Sequence, residues 1–545
     1  MRRSASAFAV TCIVTLAVAP TAAFAVGPGG WNHVGVGSTS TTPPLNGKVY
    51  ALNTDNPGVL YAGGSFTSAG GHPKARYIAR WDGSSWSALG STPLTTADFV
   101  DVRAIAYHAG KVYVGGTFQN AGGHGNADFL AVWDGSNWGP ACNRTSGSGS
   151  GPAITATVQA LQIVGNTLWV GGSFGNGGGI DSADSIVGCD LTTKDPVSPL
   201  VDDGNLTGGA VYALTADSNG ILYAGGAFIN LNGIAAADHV AAYNGSGWAA
   251  LGGTDLEPAV DDFVRSLTAV GTNVYVGTDA TDVAGIAKAD HVARWDGSAW
   301  HAMGSDSTGT NGWFDTSTFI YGLAHSGSLI IAAGSFQNAD GIARADEIAY
   351  WDGFVWHALG SNGAGNGPLD SQANAVAVGA GQVYAGGNFS TAGGDSLAGS
   401  LAAYGLRLPD AQIGGAFTGP YVGNNVYSTT GAGEVRHVTI TRGTTATSYV
   451  RIQNDGLVTT DFKVRGTGDA TGISVHYYLG ATSITAAVRA GTYATVQMTP
   501  GDATTLRVVV TVAHSSAGGV TLVTTARSQA GTPPDAARLV VSATG

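Results

Sequence analysis

Residues Val49 to Gly90 read VYALNTDNPGVLYAGGSFTSAGGHPKARYIARWDGSSWSALG, and this stretch decides the fold because the chain carries seven copies of its pattern. The landmark W-D-G begins at Trp81, and its position returns at Trp133, Cys189, Tyr243, Trp295, Trp351 and Tyr404. The successive spacings are 52, 56, 54, 52, 56 and 53 residues. Within one copy, V-Y-A-L alternates as a short inner strand, V-L-Y-A-G-G-S-F forms a second, Y-I-A-R-W a third and W-S-A-L-G an outer one. Asp82-Gly83 is a hairpin signal between the last two, and the Gly63-Gly64 pair lets neighbouring backbones approach. Repeats of this length with several short strands each mark a propeller.

The seventh copy stops at Ala402-Ala403-Tyr404-Gly405 without its W-x-x-L-G strand, whereas Trp31-Asn32-His33-Val34-Gly35 is that strand, standing alone before copy one. An open stack of repeats does not need this donation; a ring does. The expected fold is all-β: a seven-bladed β-propeller over residues 26–407, sealed by strand exchange between its ends. Residues 408–545 change to alternating runs such as SYVRIQND, TDFKVRG, ISVHYYLG, TYATVQMTP and TLRVVVTVA. They predict a β-sandwich of about seven strands.

At the start, Arg2 and Arg3 precede an apolar run centred on Phe8 to Val18 and the small-residue site Ala23-Phe24-Ala25. This predicts a signal peptide over residues 1–25 and a secreted, extracellular monomer. No later run approaches the roughly 20 apolar residues that a membrane crossing needs. Cys142 and Cys189 then remain, at the end of the second copy and at the landmark of the third, and a disulfide between them is expected in an exported chain. The alternative is two buried thiols.

Residues 26–410 carry 13 Lys and Arg against 31 Asp and Glu, a net charge near −18, and residues 411–545 carry 9 against 6, near +3. The first field disfavours nucleic acid and anionic membranes as partners. All acids are Asp except Glu257, Glu347 and Glu434. Asp suits turns and caps. The acid repeated before the third strand, at Asp128, Asp184, Asp238, Asp290 and Asp346, is read as a turn or capping residue.

Function is sought in what one copy has and the others lack. The connections from each outer strand to the next inner strand lie around the central channel and are rich in Asp. Asp101, Asp202 and Asp261 are candidates to hold calcium, whose hard charge suits oxygen ligands. Asp262 and Asp315 are candidates for an acid/base pair acting on a sugar. Trp313 and Phe314, with Asp98 and Asp370, are candidates for ligand binding, an exposed Trp beside an Asp being a sugar-stacking arrangement. The bland alternative is a rim of solvated turn acids and a packing plug. Metalloprotease, nucleophile-elbow, EF-hand, Walker and C-x-x-C patterns are absent from the sequence.

Tyr61-Ala62-Gly63-Gly64-Ser65-Phe66 and Ile78-Ala79-Arg80-Trp81-Asp82-Gly83 resemble the repeat of the fungal cortical polarity-marker family and, more distantly, kelch propellers. The resemblance spans Trp31 to Tyr404 and implies a propeller; those fungal proteins are membrane-anchored, so their polarity role does not transfer. The tail resembles immunoglobulin-like modules of exported bacterial proteins. Together these readings lead to an exported, non-catalytic binding protein whose propeller face takes a carbohydrate or cell-surface partner, with calcium or no cofactor. The alternative is a secreted carbohydrate-active hydrolase or lyase using the channel-facing Asp residues.

Overall fold

The computed structural model describes residues 30–544 except 56–57, 96–99, 146–150, 201–208, 255–256, 306–311, 313–317, 425, 427, 516–517 and 529–533. It is all-β, with seven four-stranded antiparallel sheets arranged like blades, followed by a six-stranded and a five-stranded sheet. In blade one the strands are Val49–Thr54, Leu60–Gly64, Ile78–Trp81 and Trp86–Ser87, paired in chain order. Blade seven is built differently. Its first three strands are Ala373–Gly379, Gln382–Gly387 and Leu401–Gly405, and its fourth is Trp31–His33, with Trp31 opposite Tyr404. The inner strands touch in cyclic order, that of blade seven meeting that of blade one.

Two side-chain devices join neighbouring blades. The outer-strand indole of one blade donates to a carbonyl near the end of the preceding outer strand: Trp86 to Val34, Trp248 to Pro199, Trp300 to Leu251 and Trp356 to Met303, at 2.5–3.0 Å. Trp31 repeats the bond to Leu359 at 2.7 Å. Each is buried, and such a bond stabilises by about 1 kcal/mol. Blade three has Pro196 where the others have this Trp, and there the expected disulfide Cys142–Cys189 crosses from blade two, with Cα atoms 5.6 Å apart.

The second device explains the first glycine of each pair. A methyl group on Gly63, Gly115, Gly171, Gly225 or Gly386 would lie 2.3–2.6 Å from the valine that opens the next inner strand, Val102, Val158, Val211, Val264 or Val49. Blade six has Ala333 at this position, and the next inner strand opens with Ala373 instead of valine. Size is conserved across the seam. Gly225→Ala is therefore expected to cost about 1–3 kcal/mol from overpacking, and Val264→Ala in the same chain should recover much of it. Urea denaturation of the two single variants and the double variant measures the coupling; strictly additive costs would refute the steric account.

The recurring acids behave as turn residues. Asp128, Asp184, Asp238, Asp290 and Asp346 each accept the backbone N–H of a left-handed residue eight positions earlier, at 2.6–2.9 Å. Asp82 accepts the N–H groups of Ser84 and Ser85 in its hairpin. His301 and His357 are held by the hairpin acids Asp296 and Asp352 at 2.6 and 2.8 Å.

After Leu408 the chain enters the two tail sheets, which enclose one apolar core including Ile413, Val450, Phe462, Tyr477, Leu506, Leu522 and Leu539. Leu406, Leu408 and Leu457 pack instead with Trp31 and Tyr404, so the tail meets the propeller on blade seven. Two details differ from the sequence reading. The run TYATVQMTP forms only the strand Tyr493–Ala494, because the chain turns outward and leaves Val496 70% exposed. Val435–Thr441 is a strand, running parallel to Asp535–Thr544. A short helix, Thr485–Ala490, ends at Gly491 in the left-handed conformation that glycine tolerates.

Candidate functional site

The loops that open each inner strand meet the ends of the second strands and the starts of the third strands on one face of the ring. Here every blade carries the same irregularity. The register shifts by one residue near the start of the inner strand in all seven sheets, after the first residue in six of them and after the second, Ile320, in blade six. Such a bulge re-aims the extra side chain. The seven bulge residues are Tyr50, Arg103, Gln159, Tyr212, Arg265, Tyr321 and Asn374, and none is buried. They vary from blade to blade while the flanking residues stay apolar and small.

The contacts link them into arcs around the channel mouth. Arg103 lies 5.8 Å from the Tyr50 ring centre and donates to Gln159 at 3.3 Å. Arg265 lies 5.8 Å from the Tyr321 ring centre and 4.8 Å from that of Phe319. Asn374 donates to the carbonyl of Val49 at 3.1 Å, across the seam of blades seven and one. Each guanidinium is gripped by a carboxylate fork: Arg103 by Asp101 at 2.9 and 3.1 Å, and Arg265 by Asp279 at 2.5 Å on both arms. The mouth is thus polar and aromatic with its charges matched, although the blades as a whole are acidic.

A second ring of variable residues surrounds the first. Tyr77, Phe129, Ser185, His239, His291, Glu347 and Ser400 all have φ between 59° and 66°, one per blade just before the third strand. Each is held there by two backbone hydrogen bonds to the strand-two end, as in Glu347, whose N–H donates to Phe336 and whose carbonyl accepts from Gly334. With the strained backbone fixed by its neighbours, the side chain is free to differ. Burial, with Asp346 beside it, pushes the Glu347 carboxyl up to about 7. Tyr321 is raised by burial, opposed by Arg265, with Asp279 and then Glu347 adding to the rise.

The acids expected from sequence take more modest places. Asp101 is committed to Arg103 and to the Thr117 hydroxyl at 3.0 Å. Asp370 accepts the N–H groups of Ser390 and Thr391, bonds that hold its carboxyl below the usual range against the cost of burial. Asp262 accepts the N–H of Phe263 at 2.7 Å, and Asp261 is exposed beside it. Among the described residues, no group of three metal-ligating side chains gathers at this rim. Asp98, Asp202, Trp313, Phe314 and Asp315 lie outside the described residues. Sequence reasoning missed the bulge ring; its signal was the one position after each strand-opening residue that changes between copies.

No family model matches the chain, and no curated protein does. Among solved structures, the calcium-binding protein regucalcin from Agrobacterium tumefaciens is similar at 11% identity over 52% of this chain and 81% of that one, with a TM-score of 0.31. The secreted serine protease VesC from Vibrio cholerae is similar at 12% identity over 20% of this chain, with a TM-score of 0.14, and the match spans about a fifth (21%) of that protein. The C-terminal domain of BspA from Streptococcus agalactiae is similar at 14% identity over 30% of this chain and 58% of that domain, with a TM-score of 0.16. Likeness this slight transfers no activity or ligand.

Proposed function

We propose that this chain is an exported, non-catalytic binding protein. Its seven-bladed β-propeller, closed by insertion of Trp31–His33 into the last blade, presents a face for carbohydrate at a cell surface, beside an immunoglobulin-like sandwich that docks or spaces it. The ring of bulge residues carries this reading. Three tyrosines, two guanidiniums and two amides alternate around one opening, the mixture of flat apolar faces and planar hydrogen-bonding groups that recognises sugar rings and their hydroxyls. Because Asp101 and Asp279 already neutralise the guanidiniums, a neutral glycan fits better than a polyanion. The test is thermal-shift screening of residues 26–545 against soluble neutral polysaccharides, followed by calorimetry of any that stabilise. Tyr212→Ala with Arg265→Ala is expected to weaken binding tenfold or more and to leave binding-independent properties of the tail unchanged. Unaltered affinity in that variant would move the site off the ring.

One feature favours the enzymatic alternative: Glu347, in the second ring, has a buried carboxyl pushed up to about 7, the character of a proton donor. A hydrolase built on it would release new reducing ends, lose rate as pH rises through about 7, and fall silent in Glu347→Gln. Binding without products supports the first reading.

A further inference from the structure

We propose that Asp410, Glu434 and Asp535 form a calcium site in the tail, fastening the strand that leaves the propeller to the strands that carry the other two acids. Asp410 is the second residue of the strand Pro409–Gly414, Glu434 immediately precedes Val435–Thr441, and Asp535 opens Asp535–Thr544. They are 0%, 0% and 2% exposed. Their ligating oxygens all lie within 4.8 Å of one another. Even at that limit the point between the three oxygens is only about 2.8 Å from each, so a small inward shift of the carboxylates brings one ion to the usual calcium–oxygen distance of about 2.3–2.6 Å.

The state of Glu434 points to the ion independently of this convergence. Both of its carboxylate oxygens are buried and receive no hydrogen bond. The carboxylate oxygens that converge on it are those of Asp410 and Asp535, so these neighbours can bond it only through a shared proton or a cation. Holding three carboxylates charged at this depth with no counter-cation is strongly unfavourable. Asp535, by contrast, is aimed with care: its oxygens accept the N–H groups of Ala411 and Ser428, both at 2.6 Å. Gln412 donates to Asp410 at 2.5 Å and to the side-chain oxygen of Asn424 at 3.1 Å, fixing the orientation of the Asp410 carboxylate.

An all-oxygen, triply anionic, buried site selects a hard divalent cation. Magnesium keeps several waters and seldom occupies a cage made wholly of protein, whereas calcium accepts six to eight oxygens in flexible geometry. The site lies away from the channel mouth and does not depend on the carbohydrate reading.

The experiment uses residues 26–545, purified without chelator and dialysed against metal-free buffer. Elemental analysis is expected to find about one calcium per chain. Millimolar calcium should raise the unfolding midpoint of the tail by roughly 5–10 °C over EDTA, and magnesium should not. Glu434→Gln should lose both the ion and the shift, while gaining stability in EDTA because a buried charge is gone; Asp261→Asn should keep both. Asp535→Asn serves as a second variant if Glu434→Gln does not fold. A wild-type protein without bound calcium and with equal midpoints in calcium and EDTA would overturn the proposal, as would a calcium response that survives in Glu434→Gln or disappears in Asp261→Asn. An equal response to magnesium would overturn the assignment to calcium.

Discussion

Trp31→Ala is expected to destabilise the propeller by about 4 kcal/mol, the range for removing a buried Trp. Trp31 is fully buried, packs in a tilted arrangement on Tyr404 with ring centres 5.5 Å apart and donates its indole N–H to the Leu359 carbonyl of blade six. Its strand supplies the fourth edge of blade seven, so the loss falls on the one place where the two ends of the propeller meet. Trp31→Phe separates the contributions. It keeps most of the packing, leaves the Leu359 carbonyl without its donor and should cost about 1–3 kcal/mol. Equilibrium denaturation followed by tryptophan fluorescence measures both. A midpoint unmoved in Trp31→Ala would mean that the ring does not rely on this strand.

Replacing Cys142 and Cys189 together by serine is expected to cost roughly 4 kcal/mol, from the chain entropy released when a loop of 47 residues is no longer closed. Between blades two and three, Pro196 stands in place of the indole donor, and the non-covalent ties include a Lys194 ammonium on the Pro140 carbonyl at 2.7 Å, a backbone bond from Asn143 to Lys194 at 2.8 Å and the Asn143 side chain on the Thr193 carbonyl at 3.2 Å. Both sulfurs are buried, so serine also leaves two hydroxyls in an apolar cluster. Denaturation of the oxidised protein, the reduced protein and the double variant gives the value. Equal midpoints for oxidised and reduced protein would show that the bridge adds nothing to this seam.

The repeat was legible because its spacing is set by backbone geometry that every blade must satisfy. Gly63, Asp82-Gly83 and Trp86 each answer a steric or hydrogen-bonding demand that recurs in most of the blades, so they print a period. The functional face was less legible. Arg103 and Tyr212 look like ordinary outward-facing members of an alternating strand until a one-residue register shift turns them toward the channel, and a register shift leaves no mark in composition. The Asp-rich connections drew attention instead, yet Asp101 and Asp370 spend their charge on Arg103 and on the amides of Ser390 and Thr391. The carboxylate group of the tail was invisible for another reason. Positions 410, 434 and 535 share no motif; the packing of Pro409–Gly414 in one tail sheet against Asp535–Thr544 in the other, and the parallel pairing of the latter with Val435–Thr441, bring them together.

The pairing of Trp31 with Tyr404 also sets an order of events. Trp31–His33 precedes all seven repeats in the sequence and pairs with the seventh, so this sheet cannot complete until the last repeat has been made. Contacts this distant in sequence slow folding and extend the period in which strand edges are unpaired. Until that final docking, blade seven presents the open edge of Leu401–Gly405 to any passing strand, which makes the free Trp31 segment a guard against misassembly between chains as much as a part of the finished ring.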